Sequence, residues 1–371
     1  MRVAFIKQLF DVHGPWSTVL WQNTTPRRLL DVWPGKATFW EMTCCLQADW
    51  YVIPQQLSSD YTQEVMKYLS GAEIVSRYTQ NVVAPEKIPV ERYDLVITFD
   101  PIWTVRADSS TLFAYFVVEH WDRLYPESLR APLGRYDLFL AHMLDAPEKL
   151  VSLPQAVAFP YLRDPDTVHA VFPAEKEEAI WADFRTLTTL GMAETYGVWV
   201  ASGDAAAKRL EETLGLPVRY KGSFNEKPYG ISDPPAWGDA AGYFDAMARC
   251  RYYVAVGSIA GAGQAICDAA SLGCLCIGQQ EKAFHRLICH PAALCASMIE
   301  LPRRLRAIVG SRDLQEEVRA WQDVALRDFF QRRPLALLEE AISIKSGNLA
   351  AREPSGAGGE QLPLKREAGA R

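Results

Sequence analysis

The chain has no excess of positive charge: 39 Lys and Arg stand against 45 Asp and Glu, a formal net charge of −6 over 371 residues. A protein that wraps nucleic acid needs a basic surface to displace counterions from the phosphate backbone, so nucleic acid is excluded as a bulk partner. No apolar run approaches the roughly 18 residues that mark a membrane-crossing helix. The opening MRVAFIKQLF is too short and too strand-like for a secretory signal. These absences predict a cytoplasmic protein. The GxGxxG and Walker loops are also missing. So is the C-x2-C turn that zinc sites favour. The eight cysteines are Cys44, Cys45, Cys250, Cys267, Cys274, Cys276, Cys289 and Cys295. Six of them lie in the C-terminal half, in or beside apolar stretches, which suits free thiols in a reducing compartment. Cys274-x-Cys276 and Cys289-His290 are close enough in sequence to suggest zinc, but the first two fall in a strand, and no metal site is expected.

What is present is ordinary for a soluble globular protein, 49% hydrophobic and 23% charged. The length suggests two domains of about 150 residues each. The N-terminal half alternates strand and helix signals, with buried strands at 2–6, 93–98, 113–118, 137–141 and 156–159. Each ends in polar or aromatic residues, and a parallel sheet would gather those ends on one rim. Asp11 and His13 follow the first strand in DVHGPW, Asp100 follows YDLVIT, and Glu119-His120-Trp121 follows FAYFVV. After the proline-bounded segment that starts at Pro160, a helix is expected over 174–190, and GVWVAS at 197–202 opens the second α/β unit. The tract 313–344 reads as helix interrupted at Pro334, and 346–371 as a disordered tail rich in Gly, Pro and charge.

The densest chemistry lies at 251–279, RYYVAVGSIAGAGQAICDAASLGCLCIGQ. Its periodicity predicts a strand at 252–256, a glycine-rich loop at 257–263, a helix from Gln264 to Leu272 stopped by Gly273, and a second strand at 274–277. In this βαβ unit the loop and the first turn of the helix lie outside the carboxyl end of a strand, where open parallel sheets bind ligands. Ser258, Gly261, Ala262, Gly263 and Gln264 would let the backbone approach a phosphate and offer unpaired N–H groups to it. Asp268, in the second turn, is within reach of a ribose hydroxyl pair. A plain strand–glycine–helix turn is the alternative.

The spacing Asp268-Ala-Ala-Ser-Leu-Gly273 followed by an apolar strand resembles the acid, small-residue, glycine, strand signature in the C-terminal domain of GT-B glycosyltransferases. The upstream FDAMARCRYYVAV is similar to the helix and strand that precede it there. The resemblance implies an α/β fold of two Rossmann-like domains facing each other across a cleft, with C-terminal helices crossing back to the first domain. The implied boundaries are an acceptor-side domain at 1–165, a donor domain at 166–312, crossing helices at 313–345 and a tail at 346–371. It further implies a nucleotide-sugar co-substrate, no cofactor and no required metal, and leaves room for peripheral association with the inner face of a membrane. The second acid that many retaining members carry seven residues earlier is here Gly261, and the usual diphosphate-neutralising cations have only Arg219, Lys221 and Lys227 as substitutes.

Glycosyl transfer must stabilise a leaving diphosphate and deprotonate an acceptor hydroxyl. The base is sought among Asp11, His13, Asp100, Glu119 and His120. His13 has the intrinsic pKa for proton work near neutrality, and burial behind an apolar strand would raise Glu119 towards a useful range. Either pair could equally cap its loop through backbone hydrogen bonds. Trp16, Trp103 and Trp121 follow strands in rim loops, where a flat ring can stack on a sugar acceptor, whereas most of the other tryptophans are expected in the core. A sugar-nucleotide epimerase of the same fold and an inactive carbohydrate-binding module are the other readings of these residues.

Overall fold

The computed structural model describes residues 1–8, 18–19, 21, 25–27, 29, 37–53, 88–99, 110–117, 136–142, 156–182, 203–220, 240–256 and 264–350. The first sheet is made by β1 (Val3–Gln8), β2 (Thr18–Val19), β3 (Asp49–Ile53), β4 (Leu95–Thr98), β5 (Leu112–Val117), β6 (Leu138–Ala141) and β7 (Ala156–Ala158), in the order β2-β3-β1-β4-β5-β6-β7. All neighbours are parallel except the short edge strand β2, which runs antiparallel to β3. Helix α1 (Ala37–Leu46) leads into β3.

Both faces of this sheet are covered, which is why its strands read as continuous apolar runs. Val3, Phe5, Leu95, Ile97, Ala114 and Phe116 point into one core, and Ala4, Ile6, Val96, Phe113 and Tyr115 into the other, with the period of two that a pleat imposes. Trp50 stacks on Phe99 at 5.4 Å and donates its indole N–H to Thr43 of α1 at 2.7 Å. Trp40 donates to the Pro26 carbonyl at 2.6 Å. These two buried indoles thus each have a polar partner.

Beyond α2 (Pro165–Val171), capped by Asp164 through its bond from Thr167 N, the second unit begins. Its elements are β8 (Glu177–Ala182), α3 (Gly203–Leu214), β9 (Val218–Tyr220), α4 (Ala240–Ala248), β10 (Cys250–Ala255), α5 (Gln264–Ser271), β11 (Leu275–Gln279), α6 (Ala283–Ile288) and β12 (Leu294–Cys295). The sheet is parallel throughout, in the order β12-β11-β10-β8-β9. Here the sequence reading of 174–190 as a helix is corrected, because 177–182 is a central strand bonded on both sides. The Glu, Lys and Ala content suggests helix, but the AIWA run is buried on both faces and the sheet overrides local propensity. The second sheet therefore starts at β8 and not at 197, which lies outside the described residues. Cys250 is the first residue of β10.

Three helices end the described residues: α7 (Leu301–Val309), α8 (Arg312–Arg327) and α9 (Arg333–Ala350), the last two joined by a π turn at Asp328–Arg332. The short β12 reaches only Gly278 and Gln279 of β11, and Gln322 of α8 takes over where it stops. Its amide accepts from Cys276 N at 2.9 Å and donates to Cys274 O at 2.7 Å. Pro334 does not break the helix. It has no N–H for the Phe330 carbonyl four residues back, and that carbonyl instead accepts the Arg163 N–H at 2.9 Å. Helix α9 then returns to the first sheet, where Lys345 pairs with Asp137 and lies 5.8 Å from the Phe113 ring. The helix runs to Ala350, so the expected tail is shorter at its start, and 351–371 lie outside the described residues.

Candidate active site

Both sheets share one winding order. The chain lays down β1, moves to β3 on one side and returns to β4 on the other; it then repeats this with β8, β9 and β10. The order in which strands are added reverses between β1 and β4 in the first sheet and between β8 and β10 in the second, and the crevice at the carboxyl ends of such strands is where doubly wound sheets bind ligands. Asp11, His13 and Trp16 belong to the segment that leaves β1, Asp100 and Trp103 to the one that leaves β4, and Glu119, His120 and Trp121 to the one that leaves β5. These eight residues lie outside the described residues, as do Ser258, Gly261, Ala262, Gly263, Lys221 and Lys227; the strand ends that anchor their segments are placed.

The carboxyl rims of the two sheets meet. His142, immediately after β6, packs 5.3 Å from Phe284 of α6, the helix that follows β11. Its ring also lies 4.0 Å from Tyr161 and 6.0 Å from Phe116, and Phe284 continues the cluster to Phe330 at 5.7 Å. Burial in this aromatic junction, together with the Arg163 charge, lowers the His142 pKa to about 3, so the imidazole is neutral. Nearby, His285 of α6 accepts the Gln279 N–H on Nδ1 at 2.9 Å and stands against Gly278, where a Cβ would meet its ring at 3.0 Å.

Helix α5 starts at Gln264, directly after the segment that leaves β10. It ends in a tight cap: Gly273, at φ +75°, donates to Ala270 O at 2.9 Å and Cys274 donates to Ala269 O at 2.9 Å. This double bond pattern needs a residue in the left-handed region, which glycine supplies. Lys176 adds a cation at the same end, donating to Leu272 O at 2.7 Å. The first turn of α5 thereby faces the crevice side with its backbone N–H groups.

Asp268, the sequence candidate for ribose binding, is almost buried and is held by Arg163 through Oδ1. The same Arg163 Nη1 donates to Glu41 Oε2 of α1 at 2.5 Å, and Glu41 Oε1 accepts from Asp164 N at 3.1 Å. Arg163 and Glu41 are fully buried, while the Asp268 side chain retains 7% of its surface. Burial raises the pKa of Glu41, against the pull of Arg163, and does the same for Asp268. Burial opposes the charge of Arg163, yet Asp268 and Glu41 outweigh it and raise that pKa further. Two carboxylates share one guanidinium, so the cluster favours holding a proton.

Of the other sequence candidates, Gln264 is placed by its backbone at the head of α5. Arg219 is not brought to the crevice. It sits in β9 and pairs with Glu177, the first residue of β8, so its charge lies at the amino-terminal rim opposite α5. Arg163, Glu41 and His142 were not singled out as site residues in the sequence. Glu41 had a signal, as the lone charge in ATFWEMTCCL.

No protein-family model matches the chain, and no curated protein does. Solved structures match over nearly the whole length at low identity. T4 phage BGT in complex with UDP and Mn2+ is 10% identical with a TM-score of 0.41, the match covering 94% of this chain and 99% of that one. Sucrose-phosphate synthase from Thermosynechococcus elongatus is 14% identical with a TM-score of 0.41, over 95% and 99%. An α-glucosyltransferase in complex with UDP-glucose and DNA containing an abasic site is 11% identical with a TM-score of 0.46, over 93% and 99%.

Proposed function

We propose that the chain is a glycosyltransferase that moves a sugar from a nucleotide-sugar donor to a hydroxyl acceptor, a saccharide or glycoconjugate. The observation that carries this reading is the meeting of two sheets of the same winding order at their carboxyl rims, with α5 and Asp268 on the second and the segments that hold His13 and Glu119 leaving strands of the first. The donor's diphosphate lies against the first turn of α5, its charge met by backbone N–H groups and by Lys221. The ribose hydroxyls bond to Asp268. The acceptor oxygen attacks the anomeric carbon as the bond to the diphosphate breaks. Its proton passes to His13 or to the Glu119-His120 pair, and the nucleoside diphosphate leaves. Trp16, Trp103 and Trp121 supply stacking faces for the acceptor.

The test is release of nucleoside diphosphate from UDP-, GDP- and ADP-sugars with and without saccharide acceptors. Acceptor-dependent release supports the proposal; donor interconversion without acceptor points to an epimerase, and binding without consumption to a binding module. A donor at about 100 times its Kd stabilises the fold by about 2.7 kcal/mol, which a thermal-shift screen detects. Asp268→Ala is expected to weaken donor binding about 10- to 150-fold through loss of a charged hydrogen bond. Unchanged affinity in a folded variant removes Asp268 from the site.

A further inference from the structure

We propose that Arg163 is a positioning residue for Asp268, fixing its Oδ1 so that Oδ2 alone is offered to the ribose of a nucleoside diphosphate, and that Glu41 holds the guanidinium in that role. The inference rests on the reading of Asp268 as the ribose-binding group. It starts from an asymmetry within the cluster. Glu41 is satisfied at both oxygens, by Arg163 and by Asp164 N. Asp268 is satisfied at Oδ1 only, and among the described residues nothing bonds to Oδ2. Asp268 is also the one member of the three whose side chain keeps any exposure.

A carboxylate near a binding crevice normally turns about its last bond and presents either oxygen. Anchoring one oxygen removes that freedom, so less entropy is lost when a hydroxyl binds the other. Arg163 is itself fixed at two points, its backbone N–H on the Phe330 carbonyl and its Nη1 between the two carboxylates. The helix that carries Asp268 is closed by the Gly273 cap one turn later. The guanidinium opposes the effect of burial on Asp268 without cancelling it, so the geometry of the anchored oxygen carries the argument. A ligand that donates a ribose hydroxyl meets an oriented acceptor, and one that lacks the hydroxyl leaves it unmatched.

The experiment measures, by calorimetry, the affinities of UDP, ADP and GDP and of their 2′-deoxy counterparts for the wild type, Asp268→Asn, Glu41→Gln and Arg163→Lys. The wild type is expected to prefer one ribo form about tenfold or more over its deoxy form. Glu41→Gln and Arg163→Lys are expected to cut that preference to about threefold or less by weakening the ribo form alone, leaving the deoxy form within about twofold. A role confined to folding would weaken both forms in parallel or neither, so an unchanged preference in either folded variant overturns the inference. Asp268→Asn separates the two levels. If it keeps the preference, the ribose reading itself fails; if it loses the preference while Glu41→Gln and Arg163→Lys keep it, only the positioning role fails. Should both of those variants fail to fold, Asp268→Glu carries the test, since its extra methylene displaces the anchored oxygen, and a retained preference there overturns the inference. A wild type that binds none of the diphosphates overturns the proposed function and the inference together.

Discussion

Replacing Arg163 by leucine tests the buried cluster most directly. The guanidinium is fully buried and its Nη1 serves both Glu41 and Asp268. Removing it leaves two carboxylates facing each other out of water. Breaking one buried pair costs about 3–5 kcal/mol. The second pair does not double this, because one carboxylate can take up a proton. The expected loss at about pH 8 is therefore about 3–5 kcal/mol, a large share of the roughly 5–15 kcal/mol of a typical domain. The pH dependence has a definite sign. Burial already raises Glu41 and Asp268 above the ordinary values of 4.5 and 3.8, and losing the guanidinium raises them further. A carboxyl with a raised folded pKa contributes stability that is fully present below its unfolded value and is lost as pH rises through the folded one. The deficit of Arg163→Leu is thus smallest in acid and grows towards alkaline pH. Urea unfolding followed by the fluorescence of the 11 tryptophans, at about pH 5 and about pH 8, measures it. A loss under about 1 kcal/mol at the higher pH, or a deficit larger at the lower one, refutes the reasoning. The neutral combination Arg163→Leu, Glu41→Gln, Asp268→Asn is expected to recover most of the stability.

Gln322→Leu is expected to cost about 2–6 kcal/mol, since it strands the buried Cys276 N–H and Cys274 carbonyl at about 1–3 kcal/mol each, read by denaturant unfolding; a loss below about 1 kcal/mol means water or backbone shifts replace the amide. His142→Phe is expected to flatten the acid limb of the stability curve. The folded pKa of His142 is lowered to about 3, so its contribution is complete above the ordinary 6.5 and is lost as pH falls between the two, at about 1.4 kcal/mol per unit. Identical acid limbs in wild type and variant would show that the imidazole does not stay neutral in the folded state.

Much of the fold was legible because strands buried on both faces leave unbroken apolar runs, as in YDLVIT, FAYFVV and RYYVAV, and the helix with its Gly273 stop lies where the sequence placed it. Strand β8 was not legible. EKEEAI carries helix-favouring residues, and only the neighbours β9 and β10 make it a strand. Asp268 stood out through spacing within one βαβ unit, a local signal. Its partners did not, because Arg163 is 105 residues away in sequence and Glu41 lies 122 residues from Arg163. Arg219 misled for the same reason: sequence gives its place in a strand, but the Glu177 carboxylate decides which rim its charge serves.

The position of the buried charges also bears on how the two sheets can move. Helix α1 belongs to the first sheet's layer and α5 to the second's, and Arg163 lies on the connection between them with its backbone tied to the terminal helix through Phe330. A second seam runs alongside, where Trp40 of α1 packs 5.7 Å from both Phe172 and Phe244, and Arg27 pairs with Asp245 at 3.2 Å. Drawing α1 away from α5 would part buried ion pairs and expose these rings at once, the first alone at about 3–5 kcal/mol. The buried charge cluster and the aromatic seam therefore both resist separation of the two sheets along the line between α1 and α5.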